Sequence, residues 1–278
     1  DFPGFNLKIA DFAKKQGILV FYYISPKVWA WNQKRVLKIK KIVDHMFCIL
    51  PFEVDFYRTW GMEVDYVGNP ILDAIESNAP DPQFRITHRL DERPLIALLP
   101  GSRRQELDKV LPEMLKTVDR FPDCQFAIAG APSFSEKDYQ QYLGGKKIPV
   151  IFNATYNLLL NSEAAVVTSG TATLETALLK IPQAVVYKGN RISISIARLL
   201  VNIKYISLVN LVMDATVVKE LIQEDCSGEK IGDELDLILN NQNYRARMMQ
   251  NYDQLAERMG APGASLRAAE LMIKYLNC

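Results

Sequence analysis

Short apolar runs alternate with stretches of helical periodicity along almost the whole chain, and this alternation most restricts the fold. A strand, a helix and a further strand in succession close most readily as a parallel sheet with crossover helices, the pattern of an α/β protein. The expected strands are Ile18–Ile24, Met46–Leu50, Val64–Val67, Leu95–Leu99, Phe126–Ala129, Val150–Phe152, Ala164–Val167 and Ala184–Tyr187. Helices are expected over Trp31–Val43, Phe52–Trp60, Gln105–Phe121, Glu136–Leu143 and Thr171–Leu179. Ser193–Val201 and Thr216–Gln223 also read as helices, and the tail from Ile231 to Leu276 reads as wholly helical.

A chain of 278 residues exceeds the usual single domain. Pro80 and Pro82, set among dense charge, mark the best linker. The expected division is therefore residues 1–77, a linker over 78–93, and a second domain over 94–278. The first of these holds only about 75 residues, few for a doubly wound domain, so upstream residues are expected to be missing. Hydrophobic residues at 49% and charged residues at 23% suit a soluble globular protein. No apolar run approaches the ~20 residues of a transmembrane helix. The four cysteines have no CxxC spacing, which favours a reduced, cytoplasmic setting and argues against zinc. His45 and His88 lie in no ligand or triad pattern. Chemistry is left to carboxylates, arginines and backbone amides.

Two strand-to-helix turns suit phosphate. Ala164–Val167 runs into Thr168-Ser169-Gly170-Thr171, which opens a helix whose free amides and dipole favour an anion. Glu175, one turn further in, is placed to accept ribose hydroxyls. The alternative is that Thr168 or Ser169 only caps the helix and Glu175 only answers its dipole. The second turn, Pro100-Gly101-Ser102-Arg103, offers a glycine and a fixed cation for a diphosphate, or merely a capped turn with solvated arginines. It is neither a P-loop nor a dinucleotide fingerprint. Two further stretches are less decided. Asp1, in Asp1-Phe2-Pro3, is by composition a frayed terminus. Tyr22–Trp31 puts Trp29 and Trp31 beside a basic stretch, with eight Lys/Arg and no Asp/Glu between Phe12 and Val43. Lys34, Lys38 and Lys41 share a helix face there. This suits either an anionic lipid surface or a packed corner with solvated lysines. A net charge of +1 and the lack of an RNA-binding motif argue against nucleic acid.

Six strings in order carry a resemblance: the opening Asp-x-Pro-x-Phe-Asn, SPKVWAW at 25–31, LPFE at 50–53, LPGSR at 99–103, SGTATLE at 169–175 and SLVNL at 207–211. Together they resemble the lipid-A-disaccharide synthase family over essentially the whole chain. The resemblance implies a GT-B fold, two Rossmann-like doubly wound domains facing a cleft, the first of them truncated here. It implies inverting transfer of 2,3-diacylglucosamine from UDP-2,3-diacylglucosamine to 2,3-diacylglucosamine 1-phosphate, releasing UDP, with no metal and no cofactor. It places the protein at the inner face of the cytoplasmic membrane, on an anionic surface, and leaves an oligomer open. By motif, Asp1 would be the general base. Ser102 and Arg103 would hold the diphosphate, Ser169, Gly170 and Thr171 the phosphate end, and Glu175 the ribose. Asn210, Gln223 and Glu224 fall on donor-site positions, while Asn69 stands where many members have histidine. The family's GEASGD segment is absent. The rival is another GT-B UDP-sugar enzyme, such as a UDP-N-acetylglucosamine epimerase.

Overall fold

A computed structural model describes residues 2–189 and 204–277. The expected helix over Ser193–Val201 lies outside the described residues. The described residues cluster into two compact units: those up to Ser77 with those from Glu257 onward, and those between Asn78 and Ala256. The expectation that the whole helical tail belongs to the second domain is corrected for 257–278. Part of the expected linker packs into the second unit: Phe84, in the short helix α6 (Phe84–Thr87), is 1% exposed within that unit's core.

In the first unit, α1 (Pro3–Lys15) precedes β1 (Phe21–Tyr23). Then come α2 (Val28–Trp31), a 3-10 turn over Gln33–Arg35, α3 (Val36–Ile42), β2 (His45–Cys48), α4 (Pro51–Thr59), β3 (Asp65–Tyr66) and α5 (Pro70–Glu76). The strands form a parallel sheet in the order β1-β2-β3. Period-two alternation along β2 sorts the core. Met46 and Cys48 pack with Leu7, Ala10, Val36, Ile39 and Ile42, while Phe47 packs with Val67 and Ala268. That second face is covered by the last helix, Ala264–Leu276, whose Tyr275 ring stacks on His45 at 3.8 Å. Polar ties fasten it: the Arg267 side chain donates to the Val67 carbonyl at 2.8 Å and Tyr66 Oη to the Met259 carbonyl at 2.7 Å. The expected Trp31–Val43 helix is broken instead. Asn32 has φ −147°, an extended value that no α-helix accommodates.

One buried carboxylate organises this unit. Glu53, 1% exposed, accepts hydrogen bonds from Ser25 Oγ (2.6 Å), Trp29 Nε1 (3.1 Å), the Ile49 amide (3.2 Å) and the Leu50 amide (3.0 Å). It thereby ties the turn after β1 to the turn after β2.

In the second unit, β4 (Leu95–Leu99), β5 (Gln125–Gly130), β6 (Val150–Phe152), β7 (Ala164–Thr168), β8 (Gln183–Tyr187) and β9 (Glu220–Ile222) form one parallel sheet. Their order is β6-β5-β4-β7-β8-β9. β4 and β7 are buried along their full length, which explains their unbroken apolar sequences. α7 (Arg104–Lys116), α8 (Glu136–Leu143), α9 (Thr155–Leu160) and α10 (Thr171–Leu178) are among the crossover helices. The expected helix over Thr216–Gln223 is corrected: Glu220–Ile222 is the edge strand β9, paired with β8. Three apolar residues at strand length satisfy either pattern, and pairing with β8 decides it.

Replacing Glu53 by Ala leaves four donors short of an acceptor and is expected to cost about 3 kcal/mol. Burial, partly offset by those hydrogen bonds, raises the Glu53 carboxyl above the ordinary carboxylate range. Between the ordinary and the raised value the folded state holds the extra proton, so this group's contribution falls as pH rises. Urea denaturation should therefore show the gap between parent and Glu53→Ala narrowing as pH climbs through that window.

Candidate functional site

Chain order places β5 and β6 on one side of β4, and β7, β8 and β9 on the other. The direction of winding reverses between β4 and β7, and in open parallel sheets the crevice beyond such a reversal is where ligands bind. Leu98 pairs with Val166 and Leu99 with Val167, so both strands end level. The two turns singled out from sequence follow immediately, side by side.

After β7, Ser169 donates its amide to the Val186 carbonyl at 2.9 Å and its hydroxyl to the Ile206 carbonyl at 2.8 Å. Neither Thr168 nor Ser169 caps α10: its N-cap is Gly170, with no side-chain cap. Gly170 has φ 164°, extended backbone open to any residue. Among the described residues, a Cβ there would meet nothing nearer than the Thr168 carbonyl at 4.0 Å. Thr168 Oγ1 is buried with no hydrogen-bond partner among the described residues. Thr171 is exposed at the first helical position, and Glu175 is half-buried one turn on. Tyr156 Oη donates to Glu175 Oε1 at 2.8 Å. Burial and the adjacent carboxylate push the Tyr156 phenol well above its ordinary value.

The turn after β4 is built differently. Glu106 Oε2 accepts the amides of Ser102 (2.9 Å) and Arg103 (3.1 Å), and Oε1 takes the Arg103 guanidinium at 3.2 Å. Gly101 has φ +101°, and a Cβ on it would lie 2.2 Å from Glu106 Oε2. The amides of Ser102 and Arg103 are thus held by the chain's own carboxylate. What this turn offers outward is the Arg103 side chain, 82% exposed.

Asn210 is corrected. Its amide donates to the Val218 carbonyl and to Glu220 Oε1, both at 2.9 Å, and its oxygen accepts the amides of Val217 (2.8 Å) and Val218 (3.0 Å). Fully buried with every polar atom engaged, it fastens a loop and has nothing left for a donor sugar. Glu220 joins the same knot, accepting the amides of Ile206 (3.0 Å) and Ser207 (2.9 Å) and the Ser207 hydroxyl (2.8 Å). Gln223, with φ +58°, ends β9 and accepts the Gly189 amide at 2.8 Å, while Glu224 beside it is exposed. Sequence reasoning missed Tyr156, Glu220 and Lys188. Lys188 follows β8 and pairs with Glu113 at 2.8 Å. Only Glu106 carried a local signal, as the acid at the third position of its helix.

In the first unit, Trp29 is corrected as a membrane anchor. Its indole N–H is bound to Glu53, and its ring packs edge-on to Phe52 at 5.0 Å. Lys34, Lys38 and Lys41 are exposed. Asp1 and the Trp31 side chain lie outside the described residues. Among the described residues no group of three or more His, Cys, Asp or Glu is placed to hold a metal, and no helix is long and apolar enough to cross a membrane.

Two solved UDP-bound proteins share this fold. UDP-GlcNAc 2-epimerase from Neisseria meningitidis, bound to UDP-GlcNAc, superposes with a TM-score of 0.66 at 14% identity, over 98% of this chain and 73% of that one. S. aureus MnaA, in a co-structure with UDP, gives 0.63 at 12% identity over 97% and 78%. The fold is the GT-B type of the UDP-sugar enzymes. A family model described as Lipid-A-disaccharide synthetase matches residues 1–272. Lipid-A-disaccharide synthases from Trichlorobacter lovleyi and Syntrophus aciditrophicus are 39% and 40% identical over the full chain, which spans 74% and 76% of their lengths. The chain belongs to the lipid-A-disaccharide synthetase family and is a glycosyltransferase.

Asn210→Ala should cost about 2–3 kcal/mol, since it strips partners from buried amides and a carbonyl. Thermal melting should fall while UDP affinity of the folded variant stays unchanged. Weaker UDP binding at unchanged stability would instead make Asn210 a ligand.

Proposed function

We propose that the chain transfers 2,3-diacylglucosamine from UDP to 2,3-diacylglucosamine 1-phosphate with inversion, and that the second unit holds the donor. The observation carrying this reading is the pairing of two strand-to-helix turns at the reversal between β4 and β7, one with an open helix N-terminus at Thr171, the other presenting Arg103. Ser169, Gly170 and Thr171 would line the phosphate end and Glu175 would accept the ribose, with Ser102 as the backbone of the arginine turn. Gln223 and Glu224, at the end of β9, stay candidates for the sugar side. Asp1 keeps the general-base role that the family motif implies, drawing the proton from the acceptor hydroxyl as it attacks the anomeric carbon. Arg103 and the α10 amides would stabilise the departing diphosphate. The epimerase alternative rests on fold likeness alone.

Incubation with the UDP-linked donor and the lipid monosaccharide phosphate should release UDP and form the disaccharide lipid. Glu175→Ala removes a charged hydrogen-bond acceptor worth about 1.5–3 kcal/mol, so UDP affinity by calorimetry should fall roughly ten- to a hundredfold. An unchanged dissociation constant in a folded variant takes Glu175 out of the donor site.

We further propose that the first unit lies on an anionic membrane surface at the inner face of the cytoplasmic membrane. Lys34, Lys38 and Lys41 are exposed, and α1, which packs beside α3, shows Phe5, Ile9 and Phe12 in a row to solvent. Apolar rows rimmed by lysine suit an interfacial helix. Asp11, held below the ordinary carboxylate range by Lys15 and to a smaller degree by Lys38, offsets this charge only in part. Each cation is worth about 1 kcal/mol near anionic lipid. Vesicle sedimentation at low salt should pellet the protein, and reversing the three lysines to Glu should release it without changing UDP affinity. Equal pelleting of the variant would leave the basic face a solvated helix surface.

A further inference from the structure

We infer that Tyr156 is a specificity-determining positioning residue, whose hydroxyl holds Glu175 so that the carboxylate's second oxygen reads the ribose 2′-hydroxyl. The inference rests on the assignment of Glu175 to the donor ribose. A glutamate has several rotatable bonds, and on a half-exposed helix position it would sample many rotamers. Here Oε1 is held at 2.8 Å by the Tyr156 hydroxyl. The tyrosine is fixed from behind. It stands on α9, whose Leu158 and Leu159 are fully buried and whose Asn157 side chain accepts the Asp81 amide at 2.9 Å. A ring carried by a helix packed on the sheet thus sets the orientation of a carboxylate on the neighbouring crossover helix.

The chemistry of the pair suits this task. Its environment keeps the phenol protonated well past neutral pH, so the tyrosine is the donor of the pair and Glu175 the acceptor. A carboxylate with one oxygen already satisfied presents the other in a fixed direction. A site built to accept a hydroxyl discriminates strongly against an analogue lacking it, because its polar group is then left unpaired. The ligand feature read is the 2′-hydroxyl, which separates uridine from 2′-deoxyuridine diphosphates.

The test compares UDP and 2′-deoxy-UDP binding by calorimetry in the parent chain, Tyr156→Phe, Glu175→Ala and the double variant. The parent should prefer UDP by at least about tenfold. Tyr156→Phe should weaken UDP roughly five- to twentyfold and leave 2′-deoxy-UDP within about twofold, so that the preference collapses. In the Glu175→Ala background it should do nothing further. If Glu175→Ala leaves UDP binding intact, the assignment of Glu175 to the ribose fails, and this inference with it. If Glu175→Ala weakens UDP but Tyr156→Phe does not, only the role of Tyr156 is overturned. Equal weakening of both nucleotides by Tyr156→Phe would reduce the tyrosine to a structural tie, which also overturns it.

Discussion

Parallel strands cannot be joined by tight turns, and nearly everything about this protein follows from that constraint. Each strand must be followed by a crossover, so all strands of a sheet point the same way and their carboxyl ends collect on one edge. In the second unit that edge gathers Arg103, Ser169, Lys188 and Gln223, four residues spread over 120 positions of sequence, beyond four strands of one sheet. No local motif could bring them together. The winding reversal at β4 and β7 then singles out two of those ends as neighbours.

What keeps such an edge in shape is a set of inward-facing carboxylates. Glu53, Glu106 and Glu220 each accept two or more backbone amides from the turn they serve. A turn after a strand leaves amides without ladder partners, and a carboxylate is the side chain able to accept several at once. The contrast between the two turns at the reversal is therefore chemical rather than topological. One is filled by its own glutamate, and the other begins a helix at a glycine that no described side chain crowds. Two outwardly similar glycine turns have been given different work by a single acid three residues downstream of one of them.

The strands were the most legible part of the sequence, because burial on both faces demands unbroken apolar runs such as Leu95–Leu99 and Ala164–Val167. The edge strand Glu220–Ile222 was not legible. It offers three residues of pattern, and its identity depends on pairing with β8, more than thirty residues earlier. The site divides in the same way. Gly101, Arg103, Gly170 and Glu175 announce themselves by spacing within one turn. Tyr156 meets Glu175 across nineteen positions, and Asn210 reveals its loop-fastening role only once Val217, Val218 and Glu220 close around it. Trp29 misled for a related reason: an aromatic beside lysines looks like an interface until Glu53, twenty-four positions on, claims its N–H.

The last helix, which returns to cover the first unit's sheet, bears on the order in which this protein can be made. As the chain leaves the ribosome, β1, β2 and β3 emerge well before Ala268, Leu271, Met272 and Tyr275, which among the described residues pack on the Phe21, Phe47 and Tyr23 side of their sheet. Throughout translation of the second unit, that aromatic face waits for the side chains of the last helix. The second unit has all its strands before then and can close first. The first unit is thus completed after the second, and a ribosome that terminates shortly before Ala264 would release a molecule whose first sheet lacks the last helix against one face.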